Sequence, residues 1–192
     1  MEYGALIELL ADECSYPLAE GILNEFLSGG TLISLRNGEI LINAGEFNDN
    51  VFVVESGIIR FSDMNGESER TFAFGLPGTM FMSKHSFVKG EPSYYQIDAC
   101  CESSLMKIPA KHYWNMVDTH HEFAVWALHM AQEELFYQER KNMVINGNAK
   151  DRFYAMLKNR PEIMKRVQQK IIASYLGVTP QYLCRLKKMM DK

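Results

Sequence analysis

The spacing of apolar residues changes twice along the 192-residue chain. From about Tyr3 to Ser28, Leu6, Leu9, Leu10, Leu18, Ile22, Leu23 and Phe26 recur at helical spacing, interrupted at Pro17 and ended by Gly29-Gly30. From Thr31 to Ile108 the period becomes two. Seven short runs read as strands there: 32–35, 39–43, 51–55, 57–61, 70–74, 94–98 and 104–108. Arg36-Asn-Gly, Ala44-Gly-Glu, Glu55-Ser-Gly, Met64-Asn-Gly and Leu76-Pro-Gly separate them, a turn signal roughly every 8–12 residues, as in a β-sandwich or barrel. Asn65-Gly66 suits a tight hairpin.

Helical spacing then returns. A helix is predicted from Pro109-Ala110 to Val117, and a long one from about Asp118 to Ile145. In the long helix Phe123, Trp126, Met130, Leu135, Phe136 and Tyr137 form the main apolar stripe, with Val125, Leu128 and Ala131 beside it. So wide a surface allows one face to lie on the β domain and another on a second subunit. Asn146-Gly147-Asn148 reads as a hinge. A further helix is expected from Ala149 to Asn159, with Phe153, Met156 and Leu157 inward and Arg160-Pro161 closing it.

The stretch 169–188 carries the most specific pattern. Ile172, Ala173 and Leu176 share a helix face, and Gly177 follows where positive φ is needed. Thr179 suits an N-cap, Pro180 the first helical position, and Leu183 and Leu186 pack back on the first helix. Ala173 is small where the two helices must cross. This is a helix-turn-helix, whose second helix (179–190) would enter the major groove of double-stranded DNA. Its polar side points Gln181, Tyr182 and Arg185 at bases, with Gln suited to adenine and Arg to guanine. Thr179, Lys187 and Lys188 suit phosphates, with Gln168, Gln169 and Lys170 near the backbone. The plainer alternative is a structural helical hairpin with a solvated basic face.

Charge sharpens this reading. The net is −4, but Ala149–Lys192 holds 11 Lys and Arg against 3 Asp and Glu, and residues 1–148 hold 9 against 21. The C-terminal segment therefore carries +8 and the rest −12, which suits polyanion contact by the first and not by the second. No apolar run approaches a membrane span and the start is acidic, so a cytoplasmic protein without membrane contact is expected. Cys14, Cys100, Cys101 and Cys184 form no metal or Cys-x-x-Cys pattern, and reduced thiols are expected. If Cys100 and Cys101 lie in a strand, they point to opposite faces. No P-loop, Gly-x-Ser-x-Gly or His-Glu-x-x-His occurs, so no enzyme, catalytic residue, metal site or cofactor is predicted. His85, His112, His120, His121 and His129 have no recognisable metal spacing.

A β-sandwich, a long connecting helix and a small basic helix-turn-helix, in that order, resemble the cyclic-AMP receptor protein/Fnr (Crp/Fnr) family of bacterial transcription regulators. The resemblance rests on Ile42-Asn-Ala-Gly-Glu, Val51-Phe-Val-Val-Glu-Ser-Gly-Ile-Ile-Arg, the Asn65-Gly66 hairpin, Leu76-Pro-Gly78 and the 169–188 motif. It implies an α+β fold: a double-stranded β-helix (jelly-roll) domain over 1–117, a connecting and dimerisation helix over 118–146, and a DNA-binding domain over 147–192. The short C-terminus looks like a branch without the final wing hairpin. A homodimer, RNA polymerase as a further partner and a small-molecule effector are implied as well. In nucleotide-binding relatives a Glu meets the ribose and an Arg the cyclic phosphate. Those positions fall here on Ser83 and Ser93. Serine cannot replace a charge-assisted Arg–phosphate contact, so tight cyclic-nucleotide binding is not expected. The candidate pocket comprises Phe72, Met80, Met82, Ser83, Ser93, Tyr94 and Tyr95, with Phe81, His85 and Phe87 nearby; the same residues could simply fill a core.

Two other functions remain open on the sequence. One is a ligand-binding or protein-interaction module whose helix-turn-helix does not read DNA. The other is a cupin-like metalloenzyme, which would need converging His and carboxylate ligands that the strands do not offer.

Overall fold

The computed structural model describes residues 3–66, 68–145 and 148–189. Helices α1 (Gly4–Asp12) and α2 (Glu20–Ser28) precede strands β1 (Thr31–Leu35), β2 (Ile40–Ile42), β3 (Val51–Ser56), β4 (Ile59–Asn65), β5 (Ser68–Gly75), β6 (Met80–Met82), β7 (Gln96–Ala99) and β8 (Ser103–Ile108). Then come α3 (Ala110–Thr119), α4 (His121–Ile145), α5 (Ala149–Asn159), α6 (Pro161–Arg166), α7 (Gln169–Leu176) and α8 (Pro180–Lys188). The strands form two four-stranded antiparallel sheets, β1-β8-β3-β6 and β2-β7-β4-β5. The predicted α+β class with a jelly-roll domain and C-terminal helices is borne out.

Three cores organise the chain. The sheets enclose Ile42, Phe52, Val54, Ile59, Phe61, Phe81, Ile97 and Leu105. The outer face of the first sheet is covered by α1–α4, where Val51, Val53, Met106 and Ile108 meet Leu10, Leu23, Phe26, Phe123 and Trp126. Strand β3 is thus buried on both faces, Val51 and Val53 outward and Phe52 and Val54 inward. This is why it reads as a continuous apolar run rather than an alternating one. The third core holds the helix-turn-helix together and also takes in Ile58, Phe74 and Cys100 from the sandwich.

The structure departs from the expected elements in several places. Strand β6 was not foreseen, because Met80-Phe81-Met82 is apolar at every position and shows no alternation. A π-helical turn, His85–Lys89, follows it and closes on Gly90 at φ 69°. Cys100 and Cys101 lie in the β7–β8 turn, not in a strand; Cys100 is buried and Cys101 half-buried. The chain breaks at His120 rather than near Asp118. Thr119 turns its hydroxyl back onto the Asn115 carbonyl at 2.7 Å, and His120 is extended with Nε2 3.2 Å from Glu25 Oε1. The break lets α3 and α4 both pack on the sandwich. Of the expected hinge, Asn146 and Gly147 lie outside the described residues, while Asn148 caps α5 by accepting from the Asp151 amide at 2.9 Å.

Candidate nucleic-acid interface and sandwich interior

The helix-turn-helix is built from local signals. α7 buries Ile171, Ile172, Ala173 and Leu176. It ends in a Schellman turn: the Gly177 amide bonds the Ser174 carbonyl and the Val178 amide bonds that of Ala173. Gly177 sits at φ 64°, a conformation that costs an L side chain about 1–2 kcal/mol. Arg152 of α5 donates from Nε to the Leu176 carbonyl at 3.0 Å, so another end carbonyl is satisfied from outside the motif. Thr179 Oγ1 accepts from the Tyr182 amide at 3.2 Å and Pro180 occupies the first turn, as expected.

α8 buries Leu183 and Leu186 and turns its other side to solvent. Gln181, Arg185 and Lys188 are exposed and share a face at i, i+4, i+7. Tyr182 and Lys187 are half-exposed, and Thr179 is exposed. The Arg185 guanidinium lies over the Tyr182 ring, 5.2 Å from its centroid, which restrains both side chains. Gln168, Gln169 and Lys170 are exposed at the start of α7. The expected residues thus fall on two adjacent helix surfaces, and Met190 to Lys192 lie outside the described residues.

Gln168 and Lys170 also line a cavity of about 180 Å³ between α7 and the second sheet. Its floor is a charged triad that sequence reading missed. Arg60 Nε donates to both Asp98 oxygens at 2.9 and 3.0 Å, and its two terminal nitrogens meet Glu69 at 2.9 Å. Arg60 and Asp98 are buried. They lie directly opposite each other on β4 and β7, so only strand register pairs them. Burial opposes the charge on Arg60, but the bonds from Asp98 and Glu69 outweigh it and raise its pKa. The Arg60 hydrogen bonds hold the Glu69 carboxyl below its ordinary value.

The residues of the expected effector pocket divide between three places. Met80 and Met82 pack on the helical side of the first sheet. Tyr94 is 70% exposed, tilted against His85 at 3.6 Å between ring centroids, and does not face the interior. Phe72 and Tyr95 do face it, and with Phe61 and Phe81 they fill the sandwich interior: Phe72–Tyr95 centroids are 5.3 Å apart and Phe61–Phe81 5.2 Å. Phe72 is the bulged residue of β5, where the register with β4 slips between Phe61 and Ser62. Ser83 and Ser93 are buried, with hydroxyls engaged locally: Ser83 Oγ donates to Ser86 Oγ at 3.3 Å and Ser93 Oγ to the Tyr95 carbonyl at 2.8 Å. Among the described residues no set of His, Cys, Asp and Glu is gathered to hold a metal ion, and no helix is long and apolar enough to cross a membrane.

Known proteins share parts of this geometry. Residues 32–120 match the cyclic nucleotide-binding domain family. Beyond that domain, the order of a sandwich, a connecting helix and C-terminal helices is shared with solved structures of low sequence identity. FixK2 from Bradyrhizobium japonicum superposes with a TM-score of 0.71 at 20% identity, over 84% of each chain. The Thermus thermophilus Catabolite Activator Protein gives 0.58 at 18% identity, over 92% of this chain and 85% of that one. The c-di-GMP responsive global regulator CLP of Xanthomonas campestris gives 0.68 at 14%, over 90% and 92%. Identities this low speak for a common fold. No curated protein matches the sequence.

Proposed function

We propose that this chain is a homodimeric, sequence-specific DNA-binding transcription regulator of the Crp/Fnr type. The reading divides it into a sandwich domain (1–117), a connecting and dimerisation helix (118–146) and a DNA-reading domain (147–192). The observation that carries it is the exposed face of α8, where Gln181, Arg185 and Lys188 stand together on a helix held by a Thr179 cap and a Schellman turn. Gln181, Tyr182 and Arg185 read base edges, and Thr179, Lys187, Lys188 and the start of α7 hold phosphates. The names of its structural neighbours, a catabolite activator and a global regulator of gene expression, support the same reading. RNA polymerase is the natural further partner of such a regulator.

The dimer runs along α4. Its Phe123 and Trp126 are buried toward the sandwich, while Leu128 and Leu135 are 58% and 66% exposed. Ala124, Leu128, Ala131 and Leu135 follow a 4-3-4 spacing, the seam of a two-stranded coiled coil. Ser83 and Ser93 offer a cyclic nucleotide neither a carboxylate nor a guanidinium, and aromatic rings fill the interior, so control, where it exists, uses a different ligand or none.

Selection from random duplex DNA tests the reading. A two-fold symmetric site with half-sites about 34 Å apart is expected. On that site Arg185→Ala should cost about 1–3 kcal/mol and relax base preference, whereas Lys188→Ala should weaken all sequences alike and lower the salt slope. Recovery of no sequence, with no salt-dependent binding, would leave the helix-turn-helix a protein-contact device.

A further inference from the structure

The DNA-reading domain is not attached to the sandwich through α4 and α5 alone. Strand β5 ends the second sheet, so among the described residues no strand pairs with the backbone groups on its outer side. α7 covers that edge. Ser174 Oγ accepts from the Thr71 amide at 2.9 Å and donates to the Glu69 carbonyl at 3.2 Å. One hydroxyl thereby satisfies a donor and an acceptor that another strand would otherwise take. Serine is a poorer helix former than alanine, so α7 by itself has no use for it in its interior. Lys170, one turn earlier on the same face, lines the cleft with Glu69. Arg160, between α5 and α6, donates from Nη1 to the Phe74 carbonyl at 3.4 Å and lies 4.8 Å over the Tyr137 ring of α4. Behind these polar contacts the Phe74 ring meets Tyr175 at a tilt, with ring centroids 5.0 Å apart, inside the core shared by the two domains.

In this docked arrangement the recognition face of α8 is open to solvent, and the sandwich interior is occupied by its own aromatic rings. A dimer that reads two half-sites needs its recognition helices at one separation and one orientation. A domain swinging on its linker would have to be ordered again each time the second helix docked, which lowers its effective concentration at that half-site. We propose that Ser174 is a positioning residue. By bridging the open edge of β5 it sets the orientation of α8 relative to the sandwich, and so to the dimer axis, with no ligand bound in the sandwich. The proposal rests on the DNA-reading function above and adds to it a device that holds the reading geometry.

The test uses the full-length protein and Ser174→Ala, with two readouts. The first needs no DNA: exchange of the Thr71 amide, followed by NMR or by mass spectrometry of the 68–75 region. The wild type should protect it, and Ser174→Ala should speed its exchange by roughly tenfold or more. The second is affinity for duplexes carrying one half-site, two half-sites at the selected spacing, and two half-sites half a helical turn out of phase. Ser174→Ala should weaken the two-site duplex by roughly tenfold, leave the single half-site unchanged and narrow the preference between spacings. Equal losses on one and two half-sites would reduce Ser174 to a purely structural role. Unchanged binding to the two-site duplex, or a Thr71 amide as labile in the wild type as in the variant, would overturn the proposal. If the wild type reads no DNA but Thr71 loses protection in the variant, the contact stands and the DNA reading falls, taking the positioning role with it.

Discussion

Arg60 shows how much one side chain can tie together. Its guanidinium holds a carboxylate from β7 and another from β5, and Arg60 and Asp98 are both buried in doing so. Such a pair contributes little net stability compared with an apolar substitute, but removing one partner strands the other charge. Asp98→Ala should therefore destabilise the protein by about 3 kcal/mol, measured by urea unfolding at neutral pH. A loss under about 1 kcal/mol would mean that Glu69 and water suffice for Arg60. The thiols differ for a similar reason. Burial pushes Cys100 up to about 12, so it remains a packed thiol between sandwich and helix-turn-helix. Cys184, on the open side of α8, is exposed.

Among the elements, α4 carries apolar residues on two faces. Phe123 and Trp126 complete the core over α1–α3, and the face carrying Leu128 and Leu135 is exposed among the described residues. The wide apolar surface seen in the sequence resolves into these two stripes. Which residue belongs to which stripe depends on where the helix begins, and the break at His120 determines that. Leu135→Glu should place two like charges across the proposed seam and convert the dimer to a monomer at micromolar concentration, read by sedimentation equilibrium. The variant should still unfold cooperatively, since Leu135 is exposed within the chain, with a lower midpoint that reflects the lost subunit contact. A variant that remains dimeric would move the interface off this face. Strand β5 is the other element with a double role: its bulge sends Phe72 inward, and its open edge receives α7.

At the scale of the whole molecule, the seam between sandwich and helix-turn-helix should respond to acid. Glu69 touches Arg60 from β4, approaches Lys170 from α7, and its own carbonyl receives Ser174. The Arg60 hydrogen bonds hold its folded pKa below the ordinary 4.5, so its contribution is complete above pH 4.5 and is lost as pH falls through the lowered value. The stability difference between the wild type and Glu69→Gln should therefore be present at pH 6 and shrink on acidification below pH 4.5, followed by urea midpoints. A constant difference across that range would show that the carboxylate charge is not what Arg60 uses. The carboxylate is about half exposed, so the change should be modest.

The elements that formed as the sequence implied depend on near neighbours. Period two and period 3.6 distinguish strand from helix, and the Gly177 turn with the Thr179 cap is complete within a few consecutive residues. The helix-turn-helix was therefore legible before any coordinates. The acidic and basic halves of the chain were legible too, because charge needs only counting. The pocket residues were not: Met80 and Met82 sit on a three-residue strand and Tyr94 in the loop before β7, and neither segment has a pattern long enough to read. Nor was the seam. Arg60 meets Asp98 across 38 positions and Thr71 meets Ser174 across 103. Periodicity says which face of an element is apolar but not which distant element will cover it. Sheet register and helix docking decided those pairings, because each follows from the packing of the whole chain rather than from the residues beside it.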